Sequence, residues 1–150
     1  MRKLNAKTWM IIGLIIVLLF GVWNAVWFIL TNNRYDDFLK AVPKSKFGNH
    51  IIKKDGYVYN VKRPDYLSFT GNLGINNPEA RETLIIWPLI DGSYEFGVRL
   101  QKDGIIYELS LDEQMQPVDQ NDKQTNILIQ ELKPEITALY EKANSMWKLD

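Results

Sequence analysis

The chain has 150 residues, one histidine and no cysteine. Those last two counts remove much of the usual catalytic chemistry. A Ser–His–Asp site needs a histidine base beside its nucleophile. His50 stands in "FGNHIIKK" without an acidic neighbour in sequence, and Lys53 and Lys54 disfavour an imidazolium there. It reads as a surface or strand-edge residue. A zinc site draws on several His or Cys ligands, and one histidine cannot supply it. Without cysteine there is no disulfide, no thiolate nucleophile and no lipid-modified Cys anchor. "DQNDKQ", Asp119 to Gln124, superficially resembles a calcium loop. It lacks the sixth-position Gly and twelfth-position Glu of an EF-hand, and reads as a solvated connector. Carboxylate pairs do acid–base work without histidine, and Glu95, Glu108, Asp112 and Glu113 are available. Glu95 falls on the polar side of an alternating stretch, and nothing in the spacing brings two of these groups into a cleft. No P-loop and no dinucleotide fingerprint occurs. The expectation is a non-enzyme, with no catalytic, metal or cofactor-binding residues and no cofactor.

The basic, aromatic segment "KSKFGNHIIKKDGYVYNVKRPDY" is the most suggestive remaining feature. In a cytosolic protein it would suggest nucleic acid; beside a bilayer it suits anionic headgroups or an anionic envelope polymer. Each basic residue near such a surface adds ~1 kcal/mol, fading within a Debye length. Lys53, Lys54, Lys62 and Arg63 are the candidate contacts, and no nucleic acid is expected. The plain alternative is a hydrated strand face that keeps a sheet edge from pairing.

What must position these residues begins with residues 9–30, "WMIIGLIIVLLFGVWNAVWFIL", 22 residues without a formal charge. As a helix they span ~33 Å, against a hydrocarbon core of ~30 Å. Large apolar side chains surround that helix on every side, unlike the single stripe of a core helix. Trp9 and Trp27 near the two ends suit interfacial belts. A cleaved signal peptide would carry an apolar region of ~7–15 residues and a small-residue site. Trp23 and Trp27 flank Ala25 where small residues would be needed, so the run reads as an uncleaved signal anchor. A short basic N-terminus, residues 1–8 with Arg2, Lys3 and Lys7, favours a cytoplasmic start and an extracytoplasmic domain. Asn24 is the run's one polar residue. Gly13, Val17, Gly21, Asn24 and Phe28 share an arc of roughly 80°. Small residues and an amide there make Gly13, Gly21 and Asn24 a candidate face for a second membrane helix; the alternative is an Asn24 simply hydrated near the outer interface.

Residues 31–43 form a short amphipathic helix by pattern. Tyr35, Phe38, Leu39 and Val42 lie on one face and Pro43 ends it. It either continues the membrane helix or follows a break at residues 31–33. The domain over residues 44–150 then carries three Asp-Gly pairs, at 55–56, 91–92 and 103–104, each a type I′ hairpin signal. They pair residues 49–53 with 57–62, 84–90 with 94–101, and 94–101 with 105–111. "YLSFTGNL", residues 66–73, reads as a further strand. "GINNPEARE" reads as a loop in which Asn77 caps one helical turn opened by Pro78. Pro88 should mark a bulge or an unpaired edge. Residues 126–148 read as helix, with Leu128, Leu132, Ile136, Leu139, Ala143 and Met146 facing the sheet, broken or kinked at Pro134. Trp147 closes the core. The fold class is α+β: an N-terminal transmembrane helix, then an antiparallel meander of about five or six strands packed by a C-terminal helix. Net charge is +5 over residues 31–63 and −6 over 103–150, which predicts a molecule basic near the membrane and acidic far from it.

The segments "LSFTGNLGI", "LIIWPLIDGSYEFGVRL" and "IIYELSLDEQMQPV", with "KANSMWKL" at the end, resemble the YfjL-like proteins, small membrane-anchored proteins of Gram-positive bacteria. The resemblance covers roughly residues 57–148 and is one of strands and aromatics. It implies a membrane-tethered bacterial domain and carries over no site residues.

The functional expectation is a single-pass membrane protein whose extracytoplasmic domain binds a partner without catalysis. The bilayer is one partner; a membrane or cell-surface protein, or an anionic envelope surface, is the other. The alternative is a small accessory subunit working through its membrane helix. An enzyme with an unrecognised carboxylate site ranks third.

Overall fold

The computed structural model describes residues 5–102, 104–119 and 121–149. Its first element is one helix, α1 (Ala6–Ala41), 36 residues long. Asn5 caps it by accepting a hydrogen bond from the Thr8 N–H at 2.9 Å. It ends where Val42 turns extended ahead of Pro43, as the residue before a proline tends to. No break occurs at residues 31–33, which decides between the two readings of the short helix. The exposed stretch gives way to a buried face at Thr31, Tyr35, Phe38 and Leu39. An 18-residue window of α1 has a mean hydropathy of 2.4 and none of it is buried, so the helix is long and apolar enough to cross a membrane.

Six strands follow: β1 (His50–Lys54), β2 (Tyr57–Lys62), β3 (Asn72–Asn77), β4 (Glu82–Pro88), β5 (Tyr94–Lys102) and β6 (Ile105–Leu111). Each pairs antiparallel with the next, so the sheet order equals the sequence order. The α+β reading with a six-stranded meander holds. At the first turn Asp55 and Gly56 have φ of 51° and 84°, the type I′ pattern. The Asp91-Gly92 turn differs from expectation. Only Gly92 is left-handed, and the Gly92 N–H donates to the Leu89 carbonyl at 3.2 Å. Asp103 lies outside the described residues.

Of the strand predicted over residues 66–73 only Asn72 and Leu73 form strand; β3 starts six residues later. The aromatics that suggested it pack on α1 instead, a case of tertiary contact overriding β propensity. β3 then takes up half of "GINNPEARE", and residues 78–81 form a hairpin turn rather than helix. Asn77 still caps, accepting from the Ala80 N–H at 3.3 Å. Pro88 ends β4 opposite Tyr94, and the next residue still bonds across, the Leu89 N–H donating to the Ser93 carbonyl at 2.9 Å.

The C-terminal helix is two: α2 (Lys123–Glu131) and α3 (Lys133–Trp147), with Pro134 in the first turn of α3. The start is earlier than predicted because Asp122 is an N-cap. Its carboxylate accepts from the Gln124 and Thr125 N–H groups at 3.0 and 3.1 Å. The Thr125 hydroxyl, which also donates to this carboxylate at 2.7 Å, and then those N–H bonds hold the Asp122 pKa below the ordinary value. The connector reading of "DQNDKQ" missed that cap.

The core lies on one face of the sheet. Tyr59, Val61, Leu73, Ile75, Leu84, Ile86, Phe96, Val98, Leu109 and Leu111 alternate inward along the strands. The last turns of α1 and both C-terminal helices cover them through Phe38, Val42, Ile129, Ile136, Leu139 and Trp147. No described helix covers the other face.

Candidate functional site

Two clusters of side chains could do work: the contact between α1 and the sheet, and the uncovered sheet face. The first is built around Tyr35. Its hydroxyl donates to the Pro88 carbonyl at 3.3 Å and accepts from the Gly71 N–H at 2.7 Å. Burial pushes the phenol's pKa up, while the Gly71 bond and the Arg34 charge pull the other way. Arg34 donates to the Gly92 and Ser93 carbonyls at 2.9 and 3.1 Å and stacks 4.5 Å over Tyr94. α1 is therefore tied to the sheet by hydrogen bonds to the β2–β3 and β4–β5 connections.

The same contact reaches down into the apolar run. Trp27 Nε1 donates to the Ser68 carbonyl at 2.6 Å, and Trp27 meets Tyr66 edge-on at 5.4 Å. Trp23 meets Phe69 edge-on at 5.7 Å. Asn24, a candidate for a helix–helix face, accepts from the Tyr66 hydroxyl at 2.5 Å and donates to the Phe20 carbonyl at 2.7 Å. Both ends of its amide thus have partners within this chain. Gly13 and Gly21 are open: a Cβ at either position would meet nothing within 4 Å.

The four basic candidates are not brought together. In a meander, alternate connections lie at opposite ends of the sheet. The β2–β3 and β4–β5 connections meet α1, so the β1–β2 hairpin points away from its apolar run. Lys53 and Lys54 sit at that far hairpin. Lys62 and Arg63 sit at the near end, where Lys62 pairs with Asp65 at 2.8 Å and Arg63 donates to Asn32 at 2.9 Å. Lys53 is opposite Val58, four residues from Lys62 along β2, a separation of ~13 Å. The chain's charge gradient is likewise not a gradient in space, because the meander returns to α1 at every second connection.

The uncovered face carries Ile51, Val58, Ile85, Trp87 and Ile106, with the Arg99–Glu108 ion pair among them. Trp87 lies across Gly97. A Cβ there would stand 2.8 Å from the Trp87 ring, so glycine gives the indole its seat. Sequence reasoning missed this feature because residues 84–90, "LIIWPLI", hold no polar side chain to mark the outer face. The alternation Leu84, Ile86 inward and Ile85, Trp87 outward was hidden because both faces are apolar.

No group of three or more His, Cys, Asp or Glu is placed to hold a metal among the described residues. His50 Nδ1 lies 2.7 Å from the Val42 carbonyl, a structural bond at the edge strand. Glu82 and Glu135, a pair the sequence did not suggest, are close enough for one charge to act on the other. Burial raises the Glu82 pKa, Glu135 raises it further, and a hydrogen bond from Asn77 lowers it. Glu135 Oε2 is buried without a partner among the described residues. No protein-family model, curated protein or solved structure matches the chain.

Proposed function

We propose that the protein is a single-pass membrane protein with a cytoplasmic N-terminus, whose domain stands outside the cytoplasm and acts as a non-catalytic interaction module. The observation that supports it is the double use of α1. Its first two-thirds are exposed and apolar, and its last turns bury Tyr35, Phe38 and Leu39 in the domain core. A rod of this kind mounts the domain rigidly on the membrane. Its contacts from Trp23 onward argue against removal at Ala25. The uncovered sheet face with Trp87 is the surface we assign to a membrane or cell-surface protein partner. The resemblance to YfjL-like proteins points the same way.

A second reading has the chain act through its membrane helix as an accessory subunit. The open Gly13 and Gly21 favour it. Photo-crosslinking side chains placed at Ile51 and Ile106 on the sheet, and at Val17 on the helix, separate the two in native membranes. Adducts to one protein from the sheet positions are expected. Adducts from Val17 alone favour the second reading, and adducts from neither overturn both. Protease added to intact cells should cleave the domain; cleavage only after lysis reverses the topology.

A further inference from the structure

We propose that residues 63–71, the β2–β3 connection, form a second membrane contact that dips into the bilayer interface beside α1. This rests on the reading of α1 as membrane-spanning. Arg63 is bonded to Asn32, and Gly71 to Tyr35. Between those two anchors the chain descends along the helix to Phe69 against Trp23. From Asn32 to Trp23 is ~13 Å along a helix axis. A hydrocarbon core of ~30 Å takes about 20 helical residues. Counted from Trp9, these end at Phe28. The connection therefore reaches ~7 Å below that boundary. Interfacial elements bury their apolar faces to about that depth, ~5–10 Å.

The chemistry of the connection suits that layer. Tyr66 and Leu67 stand 60 % and 42 % exposed at its surface. Tyrosine and tryptophan concentrate at membrane interfaces because one end is apolar and the other polar. Polar groups at that depth need partners, and many here have them. The Ser68 N–H donates to the Asp65 carbonyl at 2.9 Å, the Thr70 N–H to the Ser68 hydroxyl at 3.3 Å, and the Ser68 carbonyl takes the Trp27 N–H. The charged groups, Lys62, Arg63 and Asp65, are gathered at the entrance, two of them paired with each other. Leu67 has φ of 62°. A branched apolar residue in left-handed conformation is strained and points to a role at that spot. A single helix leaves a domain free to turn about its axis; an off-axis contact fixes which way the uncovered sheet face looks.

Because the chain has no cysteine, single-Cys variants of the full protein can carry one fluorophore each. Labels at L67C, I16C and I127C would be read in phosphatidylcholine vesicles with spin-labelled lipids or aqueous iodide. The I16C label should be quenched by deep spin labels and the I127C label by iodide. The L67C label should be quenched by shallow spin labels and at least several-fold less by iodide than I127C. Iodide quenching of L67C equal to that of I127C, with I16C still deep, overturns this inference alone. Iodide quenching of I16C overturns the membrane reading and this inference with it. An L67C label shielded from both quenchers overturns it in favour of a protein contact. A label at Y66C repeats the measurement if L67C fails to reconstitute.

Discussion

At the residue scale a set of side-chain hydrogen bonds fastens α1 to the sheet and its connections. Tyr35 shows this best, since one hydroxyl serves the Gly71 N–H in the β2–β3 connection and the Pro88 carbonyl at the end of β4. Tyr35→Phe keeps the ring and leaves the Gly71 N–H and Pro88 C=O short of a partner. A loss of about 1–3 kcal/mol is expected, measured by urea unfolding of the full chain in detergent. Glu82 gives a pH signature. Its folded pKa lies above its ordinary value, so the native state binds more protons than the unfolded state just above that value. Stability is therefore highest below the unfolded pKa and falls as pH rises through the folded one. Glu82→Gln should remove that fall. Urea midpoints of variant and wild type should converge in acid, with the variant ahead at neutral pH. A constant difference across pH would rule this out. Neither role was legible in advance, because both depend on neighbours more than 30 residues away in sequence. The Asp122 cap was there to be read: a carboxylate three residues before Thr125, ahead of an apolar stripe, is a capping signal.

At the element scale the strands and helices were mostly readable, and the failures share one cause. "YEFGVRL" alternates because one face is wet and one buried, and β5 forms there. "YLSFTGNL" has strand-like composition, yet its aromatics pack edge-on against Trp23 and Trp27. Periodicity reports an element's two environments; it cannot report that the second environment is a helix about 40 residues upstream. Gly71 marks the corner where that connection rejoins the sheet. A Cβ there would stand 2.2 Å from the Lys62 carbonyl oxygen. Gly71→Ala should destabilise the domain by about 1–3 kcal/mol through overpacking, again by urea unfolding. The larger effect should be local, with residues 63–71 becoming the first site of protease cleavage.

At the scale of the whole molecule, α1 sets the geometry. One residue inserted between Leu30 and Thr31 turns the lower helix by ~100° relative to the core. Trp23, Asn24 and Trp27 would then face away from Tyr66, Ser68 and Phe69, while Tyr35, Phe38 and Leu39 stay packed. The expected result is a folded domain whose residues 63–71 are cut by protease much faster than in wild type. Unchanged cleavage would show that the helix contact does not hold the connection. By contrast, an unrelated apolar helix in place of residues 9–22 should leave unfolding of the domain unchanged.

The sequence by itself determined the long apolar helix, the hairpin at Asp55-Gly56, the meander and the C-terminal helices, divided just before Pro134. These follow from local quantities: hydropathy over a window, turn dihedrals, a missing N–H. Only the tertiary structure decided that α1 runs unbroken from the apolar run into the core. It also separated Lys53 and Lys54 from Lys62 and Arg63, left Trp87 on an uncovered face, and gave Asn24 a partner in Tyr66. Those outcomes depend on which strand ends return to the helix, and that is fixed by the packing of the whole chain.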